Sequence, residues 1–127
     1  MNIEYWLDDL NNGNKELRLV AIEMLGLSGD SRVMGPLVGQ LKSNDEEIRA
    51  QAVEALGVLN DSMAVKHLVG ALADDSSTVR KEAAIALGKI KDSRSTYVLE
   101  RVLNDKDFDV RWRAAEALNA IGCNAIK

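Results

Sequence analysis

Residues 48–61 read IRAQAVEALGVLND, and the rest of the chain is written in the same phrase. The phrase returns as LRLVAIEMLGLSGD at residues 17–30, as VRKEAAIALGKIKD at 79–92 and as VRWRAAEALNAIGC at 110–123. From Leu17 to Ile48, Val79 and Val110 the step is 31 residues each time. Four copies at one fixed period mark a helical repeat array. Within a copy, Val79, Ala83, Leu87 and Ile90 fall at i, i+4, i+8 and i+11, which is one face of an α-helix. The predicted architecture is all-α, an α-solenoid of four helical hairpins stacked so that each buries the apolar stripe of its neighbour.

Working outward, the intervening segments supply the first helix of each hairpin. Residues 3–10 open the chain as the first helix, because a shift of 31 aligns Trp6 with Leu37, Leu68 and Leu99, and Leu10 with Leu41, Leu72 and Leu103. Later first helices are expected near 32–42, 63–73 and 94–104, and second helices near 16–27, 47–59, 78–90 and 109–121. The segments NNGN, SNDE, DDSS and NDKD between them are turns by composition. Asp30, Asp61 and Asp92 stand where a carboxylate can cap free helical N–H groups. Pro36 is tolerated only near a first turn, so its helix is expected to start late or bend. Ala21, Ala52, Ala83 and Ala114 form one row of small residues, and Gly26, Gly57 and Gly88 another. A glycine inside a helix costs about 1 kcal/mol against alanine. Its return at one phase therefore implies close helix packing or a helix stop. The repeats are placed at about 1–29, 30–60, 61–91 and 92–123 of a single domain covering 1–127. Beginning and ending on whole hairpins, the chain is expected to be a complete array.

Composition narrows the functional classes. Of the 127 residues, 46% are hydrophobic and 28% charged, as in ordinary soluble proteins. No apolar run approaches the roughly 18 residues that span a bilayer, and the acidic start MNIEYWLDDL is no signal peptide, so no membrane role and a cytoplasmic location are expected. One cysteine excludes an internal disulfide. The net charge of −4 argues against nucleic acid as a partner. The charge is uneven: residues 1–61 carry 11 acidic and 5 basic side chains, residues 62–127 carry 9 and 11. Such polarity can steer a partner or draw the ends of two molecules together.

The motif V-R-x-x-A-A-x-A-L-G-x-I-x-D, met in full by Val79, Arg80, Ala83, Ala84, Ala86, Leu87, Gly88, Ile90 and Asp92, resembles the HEAT-like repeats of the phycobilisome-lyase type. Repeat one departs most, with Ile22 and Met24 in place of alanines and Ser28 in place of the late isoleucine. The resemblance implies that the arginine-bearing helices line a concave surface. It also implies an alternative function, a subunit or relative of a bilin (tetrapyrrole) lyase holding a pigment in the groove.

Spacing points to the same surface. Residues 81, 85 and 89 face away from 83, 87 and 90, and through four repeats this row reads Leu19, Glu23, Leu27; Ala50, Glu54, Val58; Lys81, Ile85, Lys89; Trp112, Glu116, Ala120. An outward row should be polar, yet this one is strewn with apolar residues between charges, as a protein-binding strip is. Trp112, with Phe108 one turn earlier, is the expected anchor. The candidate site is therefore Leu19, Glu23, Leu27, Glu54, Val58, Ile85, Lys89, Phe108, Trp112 and Glu116. It fits a non-enzymatic scaffold or adaptor whose partner is a protein or peptide; the competing reading is that curvature buries part of the row. No cofactor is expected.

Other recurrent residues read as structural. Arg18, Arg49, Arg80 and Arg111 recur in phase with the core and are expected to bond aspartates or carbonyls of the next repeat, with Asp30, Asp61 and Asp92 as the nearby partners. His67 is the only histidine, and no cluster offers a metal site. Some HEAT-like enzymes carry paired His-Glu motifs that bind iron, but His67 is followed by Leu68. Cys123 lies more than a repeat from His67, too far for a nucleophile pair. Asp74 with Asp75, and Glu46 with Glu47, read as caps. Asp8 and Asp9 give the first helix a polar outer face. The last helix, with Val110, Ala114, Ala115, Leu118 and Ile121, is expected to leave an apolar end face through which two copies could pair.

Overall fold

The computed structural model describes residues 2–122. Eight α-helices follow one another among the described residues, with no strand: α1 (Ile3–Asn12), α2 (Lys15–Leu27), α3 (Met34–Gln40), α4 (Glu46–Leu59), α5 (Val65–Ala71), α6 (Ser77–Ile90), α7 (Thr96–Val102) and α8 (Phe108–Ile121). None is long and apolar enough to cross a membrane.

The first helix and the inner helices begin where a side chain can accept their free amides. Asn14 accepts from Leu17 N, Asp45 from Glu47 N, Ser76 from Val79 N, and Asp107 from Asp109 N and Val110 N. Asp30, Asp61 and Asp92 cap as expected, but what they cap is a single 3₁₀ turn, Ser31–Val33, Ser62–Ala64 or Ser93–Ser95, that leads into the helix proper. The first helices of hairpins two to four are thus shorter than the sequence suggests. The late start attributed to Pro36 is shared by α5 and α7, which contain no proline. It belongs to the capping aspartate, not to the imino acid. The inner helices stop at one phase: Gly29, Asn60, Lys91 and Gly122 all take a positive φ, which satisfies the last carbonyls and turns the chain into the next hairpin.

The expected core rows are inside. Leu37, Leu68 and Leu99 are fully buried, as are Ile48, Val79 and Val110 with Leu25, Leu56, Leu87 and Leu118. Trp6, at the end of the first row, is only half-buried and meets Tyr5 edge-on at 4.9 Å between ring centres. The helices form two layers. In the inner layer α4 packs on α2 and α6, and α6 on α8; in the outer layer α3, α5 and α7 pack chiefly on the inner helix of their own hairpin.

The glycine row explains the difference between the layers. A Cβ on Gly26 would lie 2.8 Å from the Ala55 Cβ, one on Gly57 2.8 Å from the Ala86 Cβ, and one on Gly88 3.0 Å from the Ala117 Cα. These glycines stand inside their helices, so close approach, not a helix stop, is their role. Inner helices held this closely, beside an outer layer with sparse contacts along the stack, make α2, α4, α6 and α8 the tightly packed layer of the array.

Three of the five residues expected on an apolar end face, Val110, Ala114 and Leu118, are instead fully buried in the core, because α8 turns that stripe toward α6 and α7. Ala115 and Ile121 remain half-buried. Cys123 and the rest of 123–127 lie outside the described residues.

Candidate binding groove

The predicted row lies on the inner layer with the exposure of a surface. Leu27 is 60% exposed, Val58 40% and Trp112 51%. Glu23, Glu54, Lys89 and Glu116 are exposed beside them, while Leu19, Ala50, Lys81 and Ile85 are half-buried. Packing thus covers part of the row and leaves most of it open. Phe108, the first residue of α8, is also exposed, with the Arg111 guanidinium 5.7 Å from its ring centre. That cation–π contact ties it to the N-terminal end of α8.

A cleft of about 320 Å³ opens on this face between α6 and α8. Its floor is Ile85, Gly88, Ala117 and Ala120, and its rim is Lys89, Lys91, Arg113 and Glu116. Neither Trp112 nor Phe108 lines it; Trp112 stands outside it on α8. Arg113 donates to Glu116 at 3.0 Å one turn along, so Lys89 and Lys91 are the remaining cations of this rim. Further toward the N-terminus the field turns negative. Burial, then the charge of Glu54, pushes the Glu82 carboxyl above its ordinary range, against the pull of Lys81, Lys89 and Arg113. Arg113, Lys91 and Glu82 were absent from the predicted set. A helix presents a face about 100° wide, so the row 20, 51, 82 and 113 (Val20, Gln51, Glu82 and Arg113), one residue round from 19, 50, 81 and 112, belongs to the same surface and was the available signal.

The recurrent arginines form a ladder, as expected, but with other partners. Arg49 grips Asp74 (Nε–Oδ2 3.0 Å, Nη2–Oδ1 3.1 Å) and Arg80 grips Asp105 (2.9 and 3.3 Å). Each also donates through Nη1 to a carbonyl of the preceding turn: Arg49 to Ser43 O, Arg80 to Asp74 O and Arg111 to Asp105 O. Asp30, Asp61 and Asp92 are out of reach because they lie past the far end of the inner helix. Arg49 and Asp61 are 12 residues apart along α4 and beyond, or about 18 Å at 1.5 Å per residue. Asp30 and Asp92 are occupied by Arg32 and Arg94 (2.7 Å each), whose hydrogen bonds hold both carboxyls down to about 2. For Asp74 and Asp105, burial pushes the carboxyl up, but the arginine and the turn amides of Ser76 and Asp107 outweigh it and leave both lowered. Lys15 bridges to Asp45 and Glu47 at 2.9 Å each, which raises its pKa.

His67 is half-buried beside this ladder, lining a cleft of about 160 Å³ with Arg49 and Asp74. Among the described residues no group of three or more His, Cys, Asp or Glu side chains could hold a metal ion.

Comparison with known proteins agrees with this architecture. No curated protein matches the chain. Among solved structures it is similar to a chain of the complex of CpcE and CpcF of phycocyanin lyase from Nostoc sp. PCC7120, with a TM-score of 0.86 and 24% identity over 96% of this chain and 54% of that one. It is also similar to human deoxyhypusine hydroxylase (TM-score 0.81, 25% identity, 94% of this chain and 43% of that) and to an engineered protein (0.72, 26%, 95% and 63%). The chain thus spans roughly half the length of the natural proteins it matches. The model of HEAT repeats matches residues 3–86 and 68–125, nearly the whole sequence. With the recurring hairpins, the arginine ladder and the glycine row in place, the chain belongs to the HEAT repeat family.

Proposed function

We propose that this protein is a non-enzymatic interaction module that holds an extended protein segment along the inner face of α2, α4, α6 and α8. The observation that carries this reading is the open apolar strip Leu27, Val58 and Trp112 on a rigid helical layer, with half-buried Leu19 and Ile85 continuing it. Apolar residues spread along one helical layer and rimmed by charge provide burial for affinity and charge for register. Trp112 is the anchor, and Lys89 and Lys91 receive acidic side chains of the segment over the α6–α8 cleft. Glu23 and Glu54 receive basic ones further toward the N-terminus.

The test uses the purified protein as bait in a lysate of its source cells, beside Trp112→Glu and beside Met63→Glu on the outer layer. The anticipated result is a protein retained by the wild type and by Met63→Glu and lost with Trp112→Glu, while helicity stays unchanged in all three. Equal retention by all three would remove the groove from the reading.

The likeness to a chain of a phycocyanin lyase complex favours one second reading, a lyase-type subunit that holds a bilin in the same groove together with another chain. Addition of a bilin would then shift the pigment's absorbance at stoichiometric protein, and Ile85→Glu would abolish the shift. An unchanged spectrum with the wild type would discard this reading.

A further inference from the structure

Among the described residues Arg49 and Arg80 make both a carboxylate and a carbonyl bond and Arg111 the carbonyl bond, but Arg18 makes neither and leaves its rung empty. Asp74 and Asp105 each do two things: they accept the amide of the residue two along (Ser76 N and Asp107 N, both 2.9 Å), and they accept the arginine 25 positions earlier. The equivalent residue in the preceding hairpin is Ser43. It keeps the first bond, accepting from Asp45 N at 3.1 Å through Oγ. It has no carboxylate for the second. Arg18 is the arginine 25 positions earlier, and its Nε is buried without any hydrogen-bond partner. The carbonyl bond that Arg49, Arg80 and Arg111 make is missing as well, since its equivalent, Asn12, is the last residue of α1.

A buried guanidinium nitrogen without an acceptor is costly; Arg18 as a whole is half-buried, and the rest of its side chain borders open space. Arg18 opens on a cleft of about 460 Å³ bordered by Gln40, Lys42, Ser43 and Asn44. One acidic side chain borders it, Asp45, and that carboxylate is already held by Lys15 at 2.9 Å. The cleft therefore presents a guanidinium, an ammonium, two amides and a hydroxyl, with its one carboxylate held by Lys15, which Glu47 shares.

We propose that this empty rung is an oxyanion site. The guanidinium of Arg18, with Lys42 beside it, takes a carboxylate or phosphate group from outside the chain, in the place that the Asp74 and Asp105 carboxylates hold for Arg49 and Arg80. Arginine's fork suits both groups. The site is independent of the groove reading, because it lies at the turn edge of the first two hairpins.

The experiment is a ¹⁵N-resolved NMR titration at low salt that follows the Arg18 side-chain Nε–H. Inorganic phosphate and acetate are the two probes, with chloride at matched ionic strength as the control. Saturable displacement by phosphate, acetate or both, absent with chloride, is the expected result, and the preferred probe separates a phosphate source from a carboxylate one. Ser43→Asp, which supplies the missing internal acceptor, should shift the same resonance without any added anion and weaken the response by about tenfold or more. Arg18→Gln should weaken binding as read at neighbouring amides, and it breaks no hydrogen bond of the fold. Failure of both probes to give a saturable shift, or an undiminished response in Ser43→Asp or Arg18→Gln, would overturn the proposal.

Discussion

Replacement of Gly57 by alanine tests the close packing of the inner layer. By helix propensity alone the change stabilises α4 by about 1 kcal/mol. The structure opposes it: the new Cβ would stand 2.8 Å from the Ala86 Cβ and 3.0 Å from the Ala86 Cα. Ordinary carbon contacts lie at ~3.5–4.0 Å, so α4 and α6 would have to part by roughly 0.7 Å. Neither can yield locally, because Ala86 belongs to a helix gripped on its other side by α8 at Gly88. Overpacking of this kind costs ~1–3 kcal/mol, and contact with the Ala86 backbone as well as its Cβ places this case in the upper half. The net expectation is a loss of about 1–2 kcal/mol, or a fall in Tm of roughly 4–8 °C for a domain of this size. Gly70→Ala in α5 is the internal control, since nothing lies within 4 Å of a Cβ there; it should raise Tm by about 2–4 °C. Thermal unfolding followed by circular dichroism at 222 nm reads both. A Gly57→Ala protein that melts at or above the wild type, with Gly70→Ala showing the expected gain, would refute close approach as the reason for the glycine row.

Lys91 holds φ at 58°, where the homologous turns use Gly29 and Gly122; Lys91→Gly should therefore gain about 1 kcal/mol in urea unfolding. Asp105→Ala leaves the largely buried Arg80 without its carboxylate while the carbonyl bonds to Asp74 and Asp75 survive, and should lose about 2–3 kcal/mol. Arg18→Ala, which removes no bond, should stay within about 0.5 kcal/mol of the wild type in the same assay. Asp30, Asp74, Asp92 and Asp105 all have carboxyl pKa values lowered by folding. Their contribution is complete above the unfolded value near 4 and is lost as pH falls through the folded values, about 2 for Asp30 and Asp92. Stability should thus be level from pH 7 to about 5 and fall below about 4, with a shallower fall in Asp105→Asn; an acid profile identical to the wild type's in that variant would contradict the ladder's role.

Helix identity, the buried leucine rows and the capping aspartates were legible in the sequence because they depend on spacing within one hairpin, and a 31-residue period repeats that spacing four times. The groove row was legible for the same reason: the residues opposite a core stripe on one helix must face outward. What spacing missed is what depends on how one hairpin sits on the next. The arginines' partners are such a case. Asp61 is nearer than Asp74 to Arg49 in sequence, yet the helix carries it about 18 Å away, and stacking brings the turn of the following hairpin against the guanidinium instead. The rim residues Lys91 and Arg113, and Glu82 beyond the rim, were missed because the width of the exposed face depends on the gap between α6 and α8. The apolar end face shrank because α8 turns Val110, Ala114 and Leu118 inward.

The sequence by itself determined the repeating helical hairpins, the core, and which side of each inner helix faces out, since all three follow from periodicity along a single helix. The tertiary structure decided the rest. The stack sets which aspartate meets which arginine, where glycine must replace alanine, how wide the groove opens, and that Arg18 faces Ser43 with no carboxylate between them. Those are distances between helices far apart in the chain, set by backbones that touch at Gly26, Gly57 and Gly88, and no local pattern encodes them.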